Sequence, residues 1–527
     1  MSEANILRSP HPDVDIPDLP LVPFVLGRVS EFPDHPAIIC GVSGKTYTYA
    51  QLDDAVKHVA AGLHAHGIRK GDVVGIVSPN LPDFPVVFYA TVLIGAIAST
   101  VNPIATAEEI GVQFADSEAV LIVTIPELFE KCTAAAQLAR TVREIVVFGE
   151  ADGATPYREL FAHGNTPPIV EVDPATDVAA LPYSSGTSGI PKGVMLTHRN
   201  LVANLQQMQA VTEVIDSTSR VLGVMPFFHI YGMTVMMNMH LACGGVLVTM
   251  PRFDLELFLR ICQDHRARRM WIVPPVALAL AKHPLVDAYD LSALEQVFSG
   301  AAPMGSALSD AVASRLNCAM LQGYGMTELA PVSHITPLST PRSGASGLAL
   351  PNTRCRIVSP ETGEDLPPGE EGELWIKGPQ VMIGYLNNET ATQDTLTSDG
   401  WLKTGDVAII DADGYMFIVD RLKELIKYKG FQVAPAELEA CLVAHPQIQD
   451  AAVIGLPDEE AGEVPVAFVV CADPAPSPEE IQSYVGTQLS HYKQLHRVTF
   501  VEAIPKSPSG KILRRLLRDS LYSISSL

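Results

Sequence analysis

A loop at residues 183–193, with the sequence Y-S-S-G-T-S-G-I-P-K-G, has the composition of an anion-binding site. Its three glycines allow backbone N–H groups to wrap around a negative ligand, while its hydroxyls and lysine add further donors and positive charge. The residues assigned to this role are Ser184, Ser185, Gly186, Thr187, Ser188, Gly189 and Lys192. This composition suits a triphosphate tail, although the loop lacks the spacing of a Walker A motif.

The elements that must position this loop alternate between strand-like and helix-like patterns. A capping box at Thr48 and Gln51 predicts the start of a helix. Further along, the sequence predicts strands at 73–77, 119–125, 144–148, 270–273 and 294–298 and helices near 255–265 and 306–316. Strands that alternate with helices predict parallel βαβ units, hence a layered α/β core whose ligands bind beyond the carboxyl ends of the strands.

The pattern of predicted secondary structure changes beyond residue 342. Short strands at 352–358, 372–376 and 415–419, separated by Pro- and Gly-rich turns, predict a small and mostly β subdomain. A charged stretch then precedes a second α/β pattern, with predicted helices at 436–445 and 478–489 and strands at 451–454 and 464–470. We therefore divide the chain into an N-terminal domain (1–420), a connecting segment (421–424) and a C-terminal domain (425–527).

Composition excludes several classes of partner. The 527 residues include 36 Lys and Arg against 59 Asp and Glu, a net charge of −23. Such an acidic chain argues against nucleic acid or an anionic membrane as the main partner, because phosphate backbones require clustered cations. It does not exclude a small phosphorylated ligand, which needs only local positive potential. The oligomeric state cannot be predicted from these features.

The cysteines indicate the cellular compartment, and the long apolar segments decide whether a transmembrane span is expected. Eight scattered cysteines with no C-x-x-C pair disfavour disulfides and zinc, and favour a reducing, cytoplasmic location. No signal-peptide pattern is visible at residues 1–10, and the Ser-Ser-Leu end resembles a peroxisomal signal only loosely. The uncharged segments 84–107 and 221–250 are long enough to span a bilayer, but polar residues and glycines interrupt them. We expect both segments to be buried core, with no transmembrane span.

Seven motifs in a fixed order carry a resemblance to a known family. They are the glycine-rich loop, V-M-P-F-F-H-I-Y-G at 224–232, Q-G-Y-G-M-T-E at 322–328, G-E-L-W at 372–375, W-L-K-T-G-D at 401–406, residues 420–439, and P-K-S-P-S-G-K at 505–511. With these motifs the chain resembles the adenylate-forming superfamily, which includes acyl-CoA synthetases, luciferases and peptide-synthetase adenylation domains. Residues 227–232 and 423–435 look most like those of 4-coumarate:CoA ligases.

The resemblance implies a two-step reaction that uses ATP, Mg²⁺ and coenzyme A. A carboxylate attacks the α-phosphate of ATP to give an acyl-adenylate and pyrophosphate, and the CoA thiol then displaces AMP. By resemblance, Glu328 is the Mg²⁺ ligand, Thr327 donates to the α-phosphate, and Tyr324 faces adenine. Besides the loop, the implied nucleotide-binding residues are Gly300, Ala301, Ala302, Gln322, Gly323, Tyr324, Gly325, Thr327, Asp406, Arg421 and Lys511.

The resemblance also assigns roles to the C-terminal lysines. Lys511 matches the lysine that contacts the carboxylate and α-phosphate and drives adenylation. Lys423 matches a hinge about which a small, mobile α+β domain swings between the half-reactions. Lys427, together with Gly430 and Gln432, matches residues near the phosphate and the CoA thiol. Without the resemblance, this lysine-rich stretch would be interpreted as the solvated start of a helix.

The same resemblance implies an apolar pocket for the acid. Its residues are His229, Tyr231, Phe298, Ala301, Gly325, Pro331 and Val332. A lone histidine in an apolar run is usually a core residue, but the resemblance makes His229 a catalytic gate beside the substrate carboxylate. Plant hydroxycinnamate ligases commonly carry a lysine where Phe298 stands, so cinnamate or a medium-chain fatty acid competes with 4-coumarate as substrate. No aspartate lies near His229 to pair with an amino-acid substrate.

These observations predict an AMP-forming acid:CoA ligase acting on an aryl-propenoic acid. The alternatives are a medium-chain fatty acyl-CoA synthetase, a luciferase-like monooxygenase on the same scaffold, a non-catalytic nucleotide-binding or scaffold protein, and a kinase. The presence of Lys511, Glu328 and Asp406 argues against a non-catalytic protein. A kinase would release ADP instead of AMP and pyrophosphate.

Overall fold

A computed structural model describes residues 5–184, 191–212 and 215–524. Its α-helices are Leu21–Leu26, Tyr49–Ala65, Asp83–Leu93, Ala107–Asp116, Phe129–Leu138, His198–Val211, Met239–Ala242, Leu255–Asp264, Pro274–Lys282, Ser306–Leu316, Glu389–Thr395, Pro435–Ala444, Pro478–Gln488 and Arg514–Ile524. A π-helix covers Tyr231–Asn238. Short 3₁₀ turns cover Val29–Glu31, Pro126–Leu128, Tyr157–His163, Pro284–Ala288, Thr327–Leu329 and His491–Lys493.

Two sheets lie in the first half of the chain. In spatial order, one comprises Tyr183–Ser184, Lys192–Thr197, Val178–Ala180, Ile97–Val101, Val73–Val77, Leu121–Thr124, Glu144–Val147 and Thr155–Pro156, with Gly384–Tyr385 added beside Lys192–Thr197. The other comprises Arg220–Gly223, Val246–Thr249, Pro36–Cys40 and Thr46–Thr48. The strands around Val73–Val77 are parallel, as βαβ units require.

A third sheet supplies the strands nearest the candidate site. Its order is Arg269–Ile272, Gln296–Ser299, Ala319–Gly325, Val332–Ile335 and Leu348–Ala349. The first three strands run parallel and the last two antiparallel. The carboxyl ends of the parallel strands therefore lie at one edge, where residues 300–304 and 326–328 follow the strands.

The remaining sheets form the small β subdomain and the core of the C-terminal domain. The first comprises Leu7–Arg8, Arg354–Val358, Gly372–Lys377, Leu402–Ile410 and Met416–Arg421, with Asp365–Leu366 beside Arg354–Val358. The second comprises Phe431–Val433, Ile426–Tyr428, Gly462–Cys471 and Ile448–Asp458, with Arg497–Phe500 beside Gly462–Cys471. Three helices accompany this last sheet: Pro435–Ala444, Pro478–Gln488 and Arg514–Ile524.

The predicted fold class is confirmed: a layered α/β body with a small β subdomain precedes a smaller α+β unit. The Thr48 hydroxyl accepts from the Gln51 N–H at 3.2 Å, and the Gln51 side chain accepts from the Thr48 N–H at 2.9 Å, so the capping box forms as predicted. The predicted strand 73–77 and helix 306–316 agree with the structure at both ends, whereas the strand predicted at 451–454 extends over Ile448–Asp458. The exact domain boundaries stay predictions.

Both uncharged segments lie largely in the core, apart from exposed residues such as Ile104 and Thr106 near the end of the first. Residues 84–107 supply most of helix Asp83–Leu93 and the strand Ile97–Val101, and residues 221–250 supply two strands and the helical turns between them. No helix within the described residues has both the length and the apolar character needed to cross a membrane. The eight cysteines are all free thiols.

Candidate active site

The base of the glycine-rich loop is joined to Glu328. Ser184 pairs with Lys192 across two antiparallel strands, and Ser185, Gly186, Thr187, Ser188 and Gly189 lie outside the described residues. The Ser184 hydroxyl donates to Oε1 of Glu328 at 2.9 Å, and the Tyr385 hydroxyl donates to the same oxygen at 2.9 Å. The Lys192 ammonium lies 4.9 Å from the centre of the Tyr385 ring. Tyr385 was missed by sequence reasoning, because only the strand pairing of Gly384–Tyr385 brings it here.

The Glu328 carboxylate could be one ligand of a divalent cation that is also coordinated by phosphate oxygens of the nucleotide. Glu328 is 5% exposed and lies on the 3₁₀ turn Thr327–Leu329, which begins with Thr327. In the described part of the chain, no three His, Cys, Asp or Glu side chains cluster closely enough to form a complete metal site. A cation here would need substrate phosphate oxygens and water as its other ligands, which is the usual arrangement for Mg²⁺.

Tyr324, Asp406 and Arg421 form a second polar group. The Tyr324 hydroxyl donates to Oδ2 of Asp406 at 2.6 Å, and Nε of Arg421 lies 3.2 Å from Oδ1. Asp406 and Arg421 face each other on adjacent strands, and the Asp406 side chain is only 7% exposed. Asp406 raises the pKa of Arg421, while burial and Asp406 together raise the pKa of Tyr324. The fold therefore presents a fixed carboxylate beside an aromatic face.

Gln322 fixes the small-residue loop that follows strand Gln296–Ser299. Its side-chain amide donates to the Met304 carbonyl at 3.1 Å and accepts from the Met304 N–H at 3.2 Å. Within this loop, Ala301 has a positive φ of 71°, and a side chain at Gly300 would meet the ring of Tyr231 at 3.4 Å. Ala302 continues the same turn. A contact of 3.4 Å is ordinary van der Waals packing, so the local constraint in this loop is the left-handed backbone at Ala301.

Two glycines on the neighbouring strand Ala319–Gly325 lie so close to the adjacent backbone that a side chain would be crowded there. A side chain at Gly323 would lie 3.2 Å from the His334 carbonyl oxygen, and one at Gly325 would overlap the Pro331 carbonyl. Val332 is in turn fixed by Asn204, whose side-chain amide donates to the Val332 carbonyl at 2.7 Å and accepts from its N–H at 3.1 Å. The Pro331 carbonyl accepts from the Met326 N–H at 3.0 Å.

His229 is a neutral imidazole with a defined proton position. Its Nδ1 accepts from the Tyr231 N–H at 3.2 Å, so the ring proton lies on Nε2. Burial and the nearby Lys511 lower the pKa of His229 to about 3. The Tyr231 hydroxyl donates to the Ile272 carbonyl at 3.3 Å. His229 can therefore donate a hydrogen bond to a substrate but cannot act as a cation near pH 7.

Lys511 from the C-terminal domain reaches this same region. The Ser507 N–H donates to the Lys511 carbonyl at 2.8 Å, and the Lys511 N–H donates to the Ser507 hydroxyl at 3.1 Å. Burial and Arg421 lower the pKa of Lys511, whereas Asp406 and Glu328 oppose the shift. Lys511 therefore lies within electrostatic reach of His229, Glu328, Asp406 and Arg421.

The residues predicted for the CoA step lie on a separate hairpin. Lys427 and Gln432 face each other on strands Ile426–Tyr428 and Phe431–Val433, with Lys429 and Gly430 at positive φ in the turn. The interpretation of this stretch as a helix start is wrong, because the tight two-residue turn folds it into a hairpin. The Lys427 N–H donates to Glu463, and Phe431 stacks on Tyr492, so these interactions stay within the C-terminal domain. Lys423 lies in the turn that leads into the hairpin.

The predicted acyl pocket contains an aromatic stack. Phe298 lies 4.2 Å from Trp271, ring centre to ring centre, at an interplanar angle of 12°, and each residue is 5% exposed. The two face each other on adjacent parallel strands. Sequence reasoning did not single out Trp271, whose position opposite Phe298 depends on strand register. The stack places a second aromatic ring behind Phe298, and the indole N–H of Trp271 has no hydrogen-bond partner among the described residues.

Comparison with known protein families accords with this geometry. A family model described as AMP-binding enzyme matches residues 27–386, and one described as AMP-binding enzyme C-terminal domain matches residues 437–511. The chain belongs to the AMP-binding enzyme family. The predicted family membership is confirmed.

Individual AMP-binding enzymes resemble the chain over nearly its full length. It is 43% identical to "4-coumarate--CoA ligase 5" of Oryza sativa subsp. japonica, over 99% of this chain and 98% of the relative. It is 44% identical to "4-coumarate--CoA ligase 2" of Nicotiana tabacum, over 98% and 97%. Among solved structures, ATP-bound MatB from Rhodopseudomonas palustris superposes with a TM-score of 0.87 at 29% identity, covering 96% of this chain and 99% of that one.

Proposed function

We propose that this AMP-binding enzyme is an ATP-dependent acid:CoA ligase. It activates a carboxylic acid as an acyl-adenylate with release of pyrophosphate, then forms the CoA thioester with release of AMP. The observation that carries the proposal is the close packing of Gly510, the neighbour of Lys511, against Val273 and Pro275 of the N-terminal domain. This packing brings Lys511 within electrostatic reach of His229, Glu328, Asp406 and Arg421. The names of the relatives support the same activity. They do not favour a luciferase or a medium-chain fatty acyl-CoA synthetase.

In the first step, fixed charges and donors stabilise the charge that develops at the α-phosphate. Asp406 and Arg421 bind the ribose hydroxyls, Tyr324 lies against adenine, and residues 184–192 hold the β- and γ-phosphates. Glu328 would hold Mg²⁺, which supplies positive charge beside the phosphates. Lys511 and Thr327 contact the α-phosphate oxygens, and His229 donates from Nε2 to the acid, orienting its carboxylate for attack.

In the second step, the CoA thiol attacks the acyl carbonyl and AMP leaves. Lys427, Gly430 and Gln432 serve this step, so the hairpin that carries them must approach the adenylate. We propose a swing of residues 425–527 about Lys423, with residues 1–420 as the stationary body. The eight free thiols suit a reducing compartment, and we place the enzyme in the cytoplasm.

An aryl-propenoic acid is the proposed substrate class. Phe298 itself carries no polar group that could pair with a 4-hydroxyl group of the acid. The stacked Trp271 adds a second aromatic ring, and its buried indole N–H has no hydrogen-bond partner among the described residues. We expect both aryl-propenoic acids to be preferred over octanoate, and the ratio of kcat/KM for cinnamate and 4-coumarate to show whether the Trp271 N–H pairs with the 4-hydroxyl group.

The test measures pyrophosphate release that depends on the acid and CoA, with the three acids compared by kcat/KM. Lys511→Ala should slow adenylate formation by about 10²–10³-fold, because a charge contact to the transition state is lost. Thioester formation from supplied acyl-adenylate should persist. Lys506→Ala is the matched control, because Lys506 lies in the same loop but pairs with Asp450 at 2.6 Å. Release of ADP, or equal loss of both steps in Lys511→Ala, would contradict the proposal.

A further inference from the structure

The helix Pro274–Lys282 of the N-terminal domain contacts the C-terminal domain at both of its ends. Near its first residues, Gly510 packs so closely that an added side chain would lie 3.2 Å from Pro275 and 3.3 Å from Val273. At its last residue, the Lys282 ammonium donates to the carbonyl oxygens of Val443 at 3.0 Å and Ile448 at 2.8 Å. The same helix therefore contacts the loop that carries Lys511 at one end and residues 443–448 at the other end.

The acceptors of Lys282 suit a cation. Val443 lies in the last turn of helix Pro435–Ala444, where carbonyl oxygens lack an intrahelical partner and carry partial negative charge. Ile448 begins the following strand, so both oxygens flank one short connection. A lysine near the C-terminal end of a helix is a common partner for such oxygens. Here the lysine comes from another domain.

The surface between these contacts is closely packed. A side chain added to Gly305, which precedes helix Ser306–Leu316, would lie 3.0 Å from Cβ of Ala440. Ala440 belongs to the same helix as Val443. The C-terminal domain therefore docks against two helices of the N-terminal domain.

We propose that Lys282 is a positioning residue for adenylate formation. It holds the C-terminal domain against helix Pro274–Lys282 in the orientation that brings Lys511 to the α-phosphate. The inference rests on the proposed function, because it assigns to Lys282 an effect on the step that Lys511 drives. Lys282 itself touches neither ATP nor the acid.

A lysine elsewhere in the chain provides a matched comparison. Lys131 also donates to two backbone carbonyls, those of Pro103 and Ala105, each at 3.0 Å. All three residues lie within the N-terminal domain. Replacing Lys131 with methionine therefore removes the same kind of interaction without touching the domain contact.

The test compares Lys282→Met with Lys131→Met in both half-reactions, using cinnamate with ATP or a supplied cinnamoyl-adenylate with CoA. Lys282→Met should slow adenylate formation by about tenfold, because charged hydrogen bonds that favour the docked orientation are lost. It should leave thioester formation at or above the wild-type rate. Lys131→Met should resemble the wild type in both steps, and Lys282→Arg should restore part of the adenylation rate.

A double variant distinguishes positioning from a general structural effect. In a Lys511→Ala background, Lys282→Met should cause no further loss, because its effect passes through Lys511. An equal loss in both half-reactions, an unchanged adenylation rate, or additive losses in the double variant would overturn the inference. If the wild type itself released no acid-dependent pyrophosphate, the proposed function would fail instead.

Discussion

At the scale of single residues, Asp406 is the acceptor on which the nucleotide side of the site depends. It accepts from Tyr324 at 2.6 Å and pairs with Arg421 at 3.2 Å while almost fully buried. Asp406→Asn keeps the shape but removes the charge, so both partners lose their fixed position. We expect KM for ATP to rise by about tenfold to a hundredfold, the range for a hydrogen bond to a charged group. The measurement is the ATP dependence of pyrophosphate release.

The comparison variant for this prediction is Tyr324→Phe. It removes one hydrogen bond to Asp406 but keeps the carboxylate, its pairing with Arg421 and the aromatic face. We expect a smaller rise in KM for ATP than in Asp406→Asn. An unchanged KM in Asp406→Asn would show that the carboxylate does not bind the nucleotide.

The order of the sequence motifs predicts which residues gather at the site, but not their partners. Glu328 and Ser184 were each predicted, yet their hydrogen bond and the added donor Tyr385 depend on strand Gly384–Tyr385 lying beside Lys192–Thr197. The hydrogen bonds between Gln322 and Met304 likewise join a strand to a loop that follows a different strand. A sequence motif gives the residue types and their separation along the chain, whereas these contacts depend on how strands that are distant in sequence pair in the sheet.

At the scale of elements, an aromatic–cation stack joins strands of the β subdomain. The Arg356 guanidinium lies 4.6 Å from the ring centres of both Trp375 and Trp401, and it pairs with Asp365 at 3.2 Å. We expect Arg356→Met to lower the free energy of unfolding by about 3 kcal/mol, because Asp365 would remain nearly buried without its partner. Tryptophan fluorescence during urea unfolding measures this change.

Two variants control this prediction. Arg354→Met removes an exposed arginine from the same strand and should have little effect on stability. Arg356→Met combined with Asp365→Ala should recover part of the loss, because the uncompensated carboxylate is gone. Equal destabilisation by Arg354→Met and Arg356→Met would rule out a special role for the stack.

Local signals explain which elements could be predicted. The capping box at Thr48 and the β-branched run Val73–Val77 fix their elements through short-range chemistry, and both form as predicted. The hairpin at Lys427 was misinterpreted because its lysines are typical of a solvated helix, while the deciding feature is the Lys429–Gly430 turn. The π-helix Tyr231–Asn238 was not predicted from the residue pattern, although all of its residues from Gly232 to Asn238 are buried.

At the scale of the whole molecule, the fold pairs clustered basic residues of the C-terminal part with acidic residues from other segments. Residues 421–431 and 506–518 hold nine basic residues and one acidic residue in a chain of net charge −23. The described structure brings carboxylates from elsewhere to four of these basic residues, in the pairs Arg421–Asp406, Lys429–Glu460, Lys506–Asp450 and Arg514–Glu439. Lys511 faces the site among groups of both signs. Counting along the chain therefore overestimates the positive potential that ATP and CoA would meet.

Buried histidines give the whole molecule a predictable response to acid. Burial is the main cause that lowers the pKa of His198 to about 4 and the pKa values of His240 and His334 to about 3, and each residue is 1% exposed. The unfolded chain takes up these protons below pH 6.5, whereas the folded chain does so only near pH 3 to 4. Stability should therefore fall as pH decreases from 6.5, by about 1.4 kcal/mol per histidine for each pH unit.

Urea unfolding at several pH values between 7.5 and 4.5 tests this response through its slope. His240→Gln should reduce the slope by the share of one histidine, whatever it does to absolute stability, because one proton-binding group is removed from the unfolded chain. His163→Gln, at an exposed position, supplies the comparison for loss of a surface imidazole. If the slopes of His240→Gln and the wild type coincide, burial of His240 does not contribute to acid sensitivity, and His198, His334 or carboxylates must account for the pH dependence instead.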